Sequence, residues 1–324
     1  MSHATALSRA CRGPAARLDL RALGTLEELG TGRRVALSSR FLVGRHPSCD
    51  ARPTDARVSS EHAVVRWTEG RWELRDLGSR NGTFVDGKRL PPGQRVPLGV
   101  GTSFLLGGSA VGYTLIDGAP PVPSARHVRS GQMREANHRV LSLPDDDEPA
   151  VTIFEDPSGR WLLDGEERTE VVDDRSVVSV RGEDWLLDLP SVGEITLEVA
   201  SAVSLDGALV RFVVTRDEEH VEVSLAHEGG VIELPPRSFH YLLLTLARQR
   251  LAEAELPEEE RGWVDRDTLC RMLAVDPLKL NVDVCRARKQ LAATGVLGAA
   301  EIVARRATTG QLRLGAARIL VERR

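Results

Sequence analysis

Three short blocks between residues 44 and 83 constrain the fold of this chain more than any other feature. They are Gly44-Arg45, Ser59-Ser60-Glu61-His62 and Asp76-Leu77-Gly78-Ser79-Arg80-Asn81-Gly82-Thr83. Each lies where strand-like sequence gives way to a turn. Arg45 follows the apolar run Phe41-Leu42-Val43 and a glycine, so it stands where a strand ends and a loop begins. Ser59 offers a hydroxyl on a second loop. Arg80 and Asn81 lie on a third, between Trp72-Glu73-Leu74 and Thr83-Phe84-Val85. Around them, residues 17–117 alternate short apolar stretches with turns such as Glu69-Gly70 and Asp86-Gly87, the latter a good hairpin turn. That pattern predicts an all-β sandwich. Polar groups on loops held by a rigid sheet are the usual layout of a binding site. A guanidinium fixed at Arg45 suits phosphate geometry. For either arginine taken alone, a solvated surface charge is the plainer reading.

In this order and spacing, the blocks resemble the forkhead-associated (FHA) domain, a β-sandwich that reads phosphothreonine. The resemblance covers residues 17–117, about a third of the chain. It implies that Arg45 and Ser59 hold the phosphate and that Ser60 and Arg80 add to it. It implies that Asn81 holds the peptide backbone and that Arg57 faces side chains beyond the phosphothreonine. Gly44, His62, Gly82 and Thr83 are implied as scaffold. Ser60 stands where many members carry Arg or Asn, which bears on affinity. The alternative is an FHA sandwich that has lost binding.

The 324 residues allow two or three domains. Charged residues at 28% and hydrophobic residues at 41% are globular composition. The four cysteines, at 11, 49, 270 and 285, form no C-x-x-C pair, so neither a zinc site nor a disulfide framework is expected. That usage fits a reducing compartment. The N-terminal residues show no apolar signal-peptide core, and no run of about 18 apolar residues occurs. A cytoplasmic protein away from membranes is the expectation. Charge is strongly segregated. Residues 1–129 hold 19 Lys and Arg against 11 Asp and Glu, residues 130–229 hold 8 against 24, and residues 230–324 hold 16 against 12. Either end suits an anionic partner, and the middle does not.

Residues 118–137, with Pro120, Pro121, Pro123, Ser124 and Gly131, read as a linker. Residues 138–200 read as a small β-rich acidic segment. Val151-Thr152-Ile153-Phe154 and Trp161-Leu162-Leu163 flank one turn, and Val177-Val178-Ser179-Val180 and Trp185-Leu186-Leu187 flank another. The run Asp145-Asp146-Asp147-Glu148 reads as a loop, and the acidic residues as a solvated face. Masking of a basic surface elsewhere in the chain is the alternative.

From Arg211 the pattern changes. Strands Val221–Leu225 and Val231–Leu234 precede a helix from an N-cap at Ser238 to about Ala254. A second helix follows Asp265, and a third runs from about Pro277 to Ala293. Ile302–Arg306 and Gln311–Leu314 then form a hairpin. This order, over residues 211–320, resembles an α+β winged helix-turn-helix, most of all the DNA-binding domain of bacterial response regulators. On the third helix Leu280, Val284, Ala287 and Leu291 share one stripe and face the core. The opposite side carries Asn281, Val282, Cys285, Arg286, Arg288 and Lys289, types that suit base edges and phosphates in a major groove. Arg305 and Arg306 are the expected wing contacts. The plainer reading is a solvated basic helix face. The Gly-Tyr that closes many such wings is replaced by Gln311-Leu312-Arg313-Leu314-Gly315.

Gly82–Lys88 spells most of a phosphate-binding loop, but Arg89 follows it and no helix pattern does. The histidines do not cluster with other ligands, and no catalytic constellation occurs. The sequence therefore predicts a multidomain chain, not an enzyme, with no cofactor or metal. Its expected partners are a phosphothreonine-containing protein or Ser/Thr kinase and double-stranded DNA. The expected function is phosphorylation-linked transcriptional regulation in the cytoplasm. The alternative is a phosphopeptide-binding adaptor whose winged helix contacts protein.

Overall fold

The computed structural model describes residues 24–91, 93–166, 168–190 and 203–324. The expectations for residues 17–23 and 191–200, and for Cys11, fall outside them.

The N-terminal part is a sandwich of ten strands: β1 Thr25–Glu28, β2 Arg34–Ala36, β3 Arg40–Val43, β4 Ala63–Thr68, β5 Arg71–Asp76, β6 Thr83–Val85, β7 Lys88–Arg89, β8 Arg95–Leu98, β9 Ser103–Leu106 and β10 Gly112–Asp117. One sheet has the order β2-β1-β10-β9-β6-β7 and the other β3-β4-β5-β8. Period-two alternation drives the packing. Tyr113 and Leu115 enter the core from β10 while Thr114 between them stays half-buried. Trp72 lies fully buried across the core, edge-on to Trp67 at 5.1 Å.

A second sandwich follows: β11 Ser124–His127, β12 Met133–Glu135, β13 Leu141–Leu143, β14 Val151–Glu155, β15 Trp161–Asp164, β16 Thr169–Val172, β17 Val177–Val180 and β18 Glu183–Asp188. Its sheets run β12-β11-β18-β17 and β13-β14-β15-β16, closing over Trp161, Trp185 and an aliphatic core. The linker expected over 118–137 is thus corrected. Only the proline-bearing stretch before β11 is connection, and residues from Ser124 onward are structural. The strand was masked because β11 contributes a single apolar side chain, Ala125, to the core. Pairing with β12 and β18 holds it, not its own pattern. His127, expected in the linker, sits edge-on to Trp185 at 5.1 Å.

The C-terminal part contains β19 Leu209–Val214, β20 Val221–His227, β21 Gly230–Leu234, α1 His240–Ala252, α2 Arg266–Leu273, α3 Pro277–Ala292, the hairpin β22 Val303–Arg305 with β23 Leu312–Leu314, and β24 Arg318–Arg323. The strands before the helices, three helices and hairpin follow the expected order. Two details differ. Ser238 caps nothing: α1 begins at His240 without a side-chain cap, entered through a tight turn in which the Tyr241 N–H donates to the Ser238 carbonyl. The sheet also gains a pairing that no local pattern announces, β24 parallel to β19. In contrast, α3 starts as its sequence dictates, with the Asp276 carboxylate accepting from the Lys279 N–H at 2.8 Å and proline in the first turn. Leu280, Val284, Ala287 and Leu291 all enter the core.

Candidate functional site

At one end of the first sandwich, the β3–β4 and β5–β6 loops meet. Gly44 lets them close: a Cβ there would stand 2.2 Å from the Ser60 carbonyl oxygen. The Arg45 N–H donates to the Ser59 carbonyl at 3.1 Å, and its Nε donates to the Val58 carbonyl at 2.6 Å. The rest of this exposed guanidinium projects past the loop. The Ser59 hydroxyl accepts from the Arg80 N–H at 3.1 Å, joining the two loops and leaving its own hydrogen to donate. Asn81 donates from Nδ2 to the Arg57 carbonyl at 2.8 Å, and its Oδ1 has no partner among the described residues. Neither Arg45 nor Arg80 pairs with a carboxylate among those residues. Arg57 does: Asp55 grips it through Nε and Nη2 at 3.2 and 2.9 Å. Ser60 is exposed, while its carbonyl is taken by the His46 N–H and the Cys49 thiol. The structure therefore brings Arg45, Ser59, Ser60, Arg80, Asn81 and Arg57 to one end of the sandwich.

Beneath them, buried His62 fixes the Ser59 loop. Its Nδ1 accepts from the Ser59 N–H at 2.9 Å, so its hydrogen sits on Nε2, which faces the Gly82 carbonyl at 3.2 Å. Burial pushes its pKa below the ordinary histidine value, against the opposing pull of the Gly82 carbonyl. Gly82 has φ +84°, a left-handed conformation that any side chain would strain. Asp76 is the organising residue that sequence reading quoted but gave no role. One oxygen accepts the Gly78 and Ser79 N–H groups at 2.8 and 2.9 Å; the other accepts the Ser79 and Thr83 hydroxyls, each at 2.6 Å. Burial pushes the Asp76 carboxyl up, but these four donors outweigh it and hold the pKa below the usual carboxylate range. An acidic residue followed by Gly-Ser and then Thr was the signal available for it.

Residues 41–107 match the family model of the FHA domain. This part of the chain is an FHA domain. Over 82 residues the chain is 35% identical to the FHA domain-containing protein FhaB of Mycobacterium tuberculosis, covering 25% of this chain and 52% of that protein. It is 38% identical over 84 residues to the oxoglutarate dehydrogenase inhibitor of Corynebacterium efficiens, covering 22% of this chain and 59% of that protein. Among solved structures, Mycobacterium tuberculosis EmbR in complex with a low affinity phosphopeptide aligns at 27% identity, over 31% of this chain and 25% of that one, with a TM-score of 0.28. The chain thus spans little more than half of these curated relatives.

Outside the FHA domain, α3 was expected to show an open basic face. That expectation is corrected, because the second sandwich covers it. Asn281 donates to Glu166 at 2.8 Å, and Cys285 touches the Ser142 hydroxyl at 3.1 Å. Arg288 is fully buried and bonds Asp164, Thr152 and the Val303 carbonyl at 2.8, 2.5 and 2.8 Å. Lys289 pairs with Asp146. Val282 is buried as well. On the hairpin, Arg305 donates to Asp164 at 2.9 Å and to the Glu166 carbonyl at 2.9 Å. Arg306 stacks on Trp263 at 4.6 Å, and only Arg286 of the expected helix set is exposed. The solvated acidic face is corrected at the same contact: Asp164 is buried, and although burial pushes its carboxyl up, the charges of Arg288 and Arg305 hold its pKa below the usual range. A helix projection separates one face from another; it cannot show that a second domain lies across the polar one.

Proposed function

We propose that this chain is a phosphothreonine-reading signalling protein. The observation that carries the reading is that two exposed arginines, Arg45 and Arg80, each bond Ser59 through the backbone N–H, and that neither side chain has a carboxylate partner among the described residues. A phosphate supplies the missing charge, accepts from the Ser59 hydroxyl and takes charge-assisted bonds from Arg45. The Asn81 Oδ1 is left to accept from a peptide N–H. Since a bond to a charged partner contributes about 1.5–3 kcal/mol, Arg45→Ala is expected to weaken binding of a phosphothreonine peptide roughly tenfold to a hundredfold. Calorimetric titration of the full chain measures this, and unchanged affinity would move the site elsewhere.

The output assigned to the C-terminal part is a winged helix-turn-helix that couples Ser/Thr kinase signalling to DNA. Its support is the element order, with Arg286 exposed on α3. A second reading, the adaptor, is favoured by a specific observation: in the fold described, α3 touches protein. Retention of labelled duplex DNA at two salt concentrations, by the full chain with the carboxylates that face the helices neutralised (Asp146→Asn/Glu166→Gln), separates them. A nucleic-acid complex loses affinity steeply with salt, and an adaptor retains no duplex at either. No catalytic role is assigned to any residue. No helix among the described residues is long and apolar enough to cross a membrane.

A further inference from the structure

The two sandwiches share one topology. When the β6–β7 hairpin is removed from the FHA domain, its sheets become β2-β1-β10-β9 and β3-β4-β5-β8. The second sandwich reads β12-β11-β18-β17 and β13-β14-β15-β16. Strands β11 to β15 thus stand in the places of β1 to β5, and β16, β17 and β18 in those of β8, β9 and β10, with every pairing antiparallel. One local feature also recurs, although β16 stands in the place of β8 and not of β6. Asp76, the last residue of β5, accepts from the hydroxyl of Thr83, which opens the next strand. Asp164, the last residue of β15, accepts from the hydroxyl of Thr169, which opens the next strand, again at 2.6 Å.

Charge is what differs. The loop after β3 balances Arg45, Arg52 and Arg57 against Asp50, Asp55 and Glu61, and the loop after β5 adds Arg80 with no carboxylate. The loop after β13 carries Asp145, Asp146, Asp147 and Glu148, and the turn after β15 carries Glu166. The end that meets phosphate in the FHA domain meets Arg266, Arg288, Lys289 and Arg305 in the second sandwich.

This contact is mostly polar. Its apolar part is small: Val140, Phe154 and Ala300, flanked by Leu162 and Ala292. Polar, charge-rich contacts between domains are the kind that come apart. Arg288 is desolvated and its Nε finds no partner, so the buried ion pair carries a cost against its attraction. Lys289–Asp146 and Arg266–Glu166 lie at the rim, where each carboxylate is about half exposed or more, at 60% and 45%.

We propose that residues 124–189 are a charge-inverted FHA-type sandwich whose loop end is a receptor for a cationic helix, and that it acts as a latch, holding α3 away from anionic partners until it is released. Its masking role toward duplex DNA rests on the winged-helix reading; the latch itself does not.

Cys285 reports the latch directly. Its thiol is 1% exposed and lies between α3 and β13. The experiment is maleimide labelling of the full chain, mapped by mass spectrometry, with the rim carboxylates neutralised in the double variant Asp146→Asn/Glu166→Gln. The latch predicts that Cys285 labels at least about tenfold faster in the variant, consistent with losing two partly exposed ion pairs. It also predicts faster labelling of the unaltered chain when salt is raised about tenfold. Labelling of Cys49 and Cys270 and the circular dichroism should stay unchanged. A Cys285 rate indifferent to both salt and the variant would overturn the proposal and make α3 a permanent part of one fused core. Duplex DNA is then added to the variant. Faster labelling with salt-sensitive DNA retention supports both readings, whereas faster labelling without any retention keeps the latch and removes DNA as the partner.

Discussion

At the scale of single residues, the FHA site depends on groups that never touch the ligand. His62 holds Ser59 only while neutral, because protonated Nδ1 would face the Ser59 N–H donor to donor. Its pKa is lowered from 6.5 in the fold, so its contribution to stability is complete above about pH 6.5 and is lost as pH falls through the lowered value. Thermal unfolding of the full chain between about pH 7.5 and pH 5.5 should show a falling midpoint for the FHA transition, with a smaller fall in His62→Gln. A similar fall in both would remove His62 as the cause. Asp76→Asn exchanges a four-donor carboxylate for an amide with one acceptor oxygen. The expected cost is about 2 kcal/mol by denaturant unfolding, together with loss of phosphopeptide affinity. Stability equal to that of the unaltered chain would contradict the cage.

Elements differ in how far their sequences announce them. The FHA loops were legible because their chemistry restricts residue type: a glycine where backbone meets backbone at Gly44, a histidine that must both accept and donate at His62. The core stripe of α3 was legible because its period is local. Strand β11 was not, since only Ala125 marks its inner face and one of its two partners, β18, lies some 60 residues on. Nor was the shared topology of the two sandwiches, as strand order is a property of pairing and leaves no periodicity. The buried side of α3 was misread for a related reason: arginine in a helix looks the same in sequence whether water or Asp164 faces it. Arg288→Ala should therefore behave as the removal of one partner from a buried pair, costing about 3 kcal/mol or more, far above the loss expected for a solvated arginine. Denaturant unfolding decides, and a cost below about 0.5 kcal/mol would place Arg288 in water. Since the pKa of Asp164 is lowered in the fold, the stability it contributes is present at neutral pH and is lost as pH falls below the ordinary carboxylate value.

For the whole molecule, the segregated charge now has a structural role. The 24 acidic residues of the middle region include those that meet the basic face of the C-terminal part, so a chain near neutrality carries a strong internal attraction. The same middle sandwich also touches the FHA domain, where the Ser39 N–H donates to Asp188 at 3.0 Å and the Ser39 hydroxyl makes a second bond to that carboxylate. It therefore bonds both neighbours, the FHA domain at the end of β3 away from Arg45 and the C-terminal part through Asp164. The proposed function rests on capture of phosphate by the FHA loops. Its most direct test is to pass two matched peptide libraries with degenerate flanks over the immobilised full chain, one centred on phosphothreonine and one on threonine. Retention of the phosphorylated library alone, abolished by Arg45→Ala, is the predicted result; equal retention of the two libraries would contradict it.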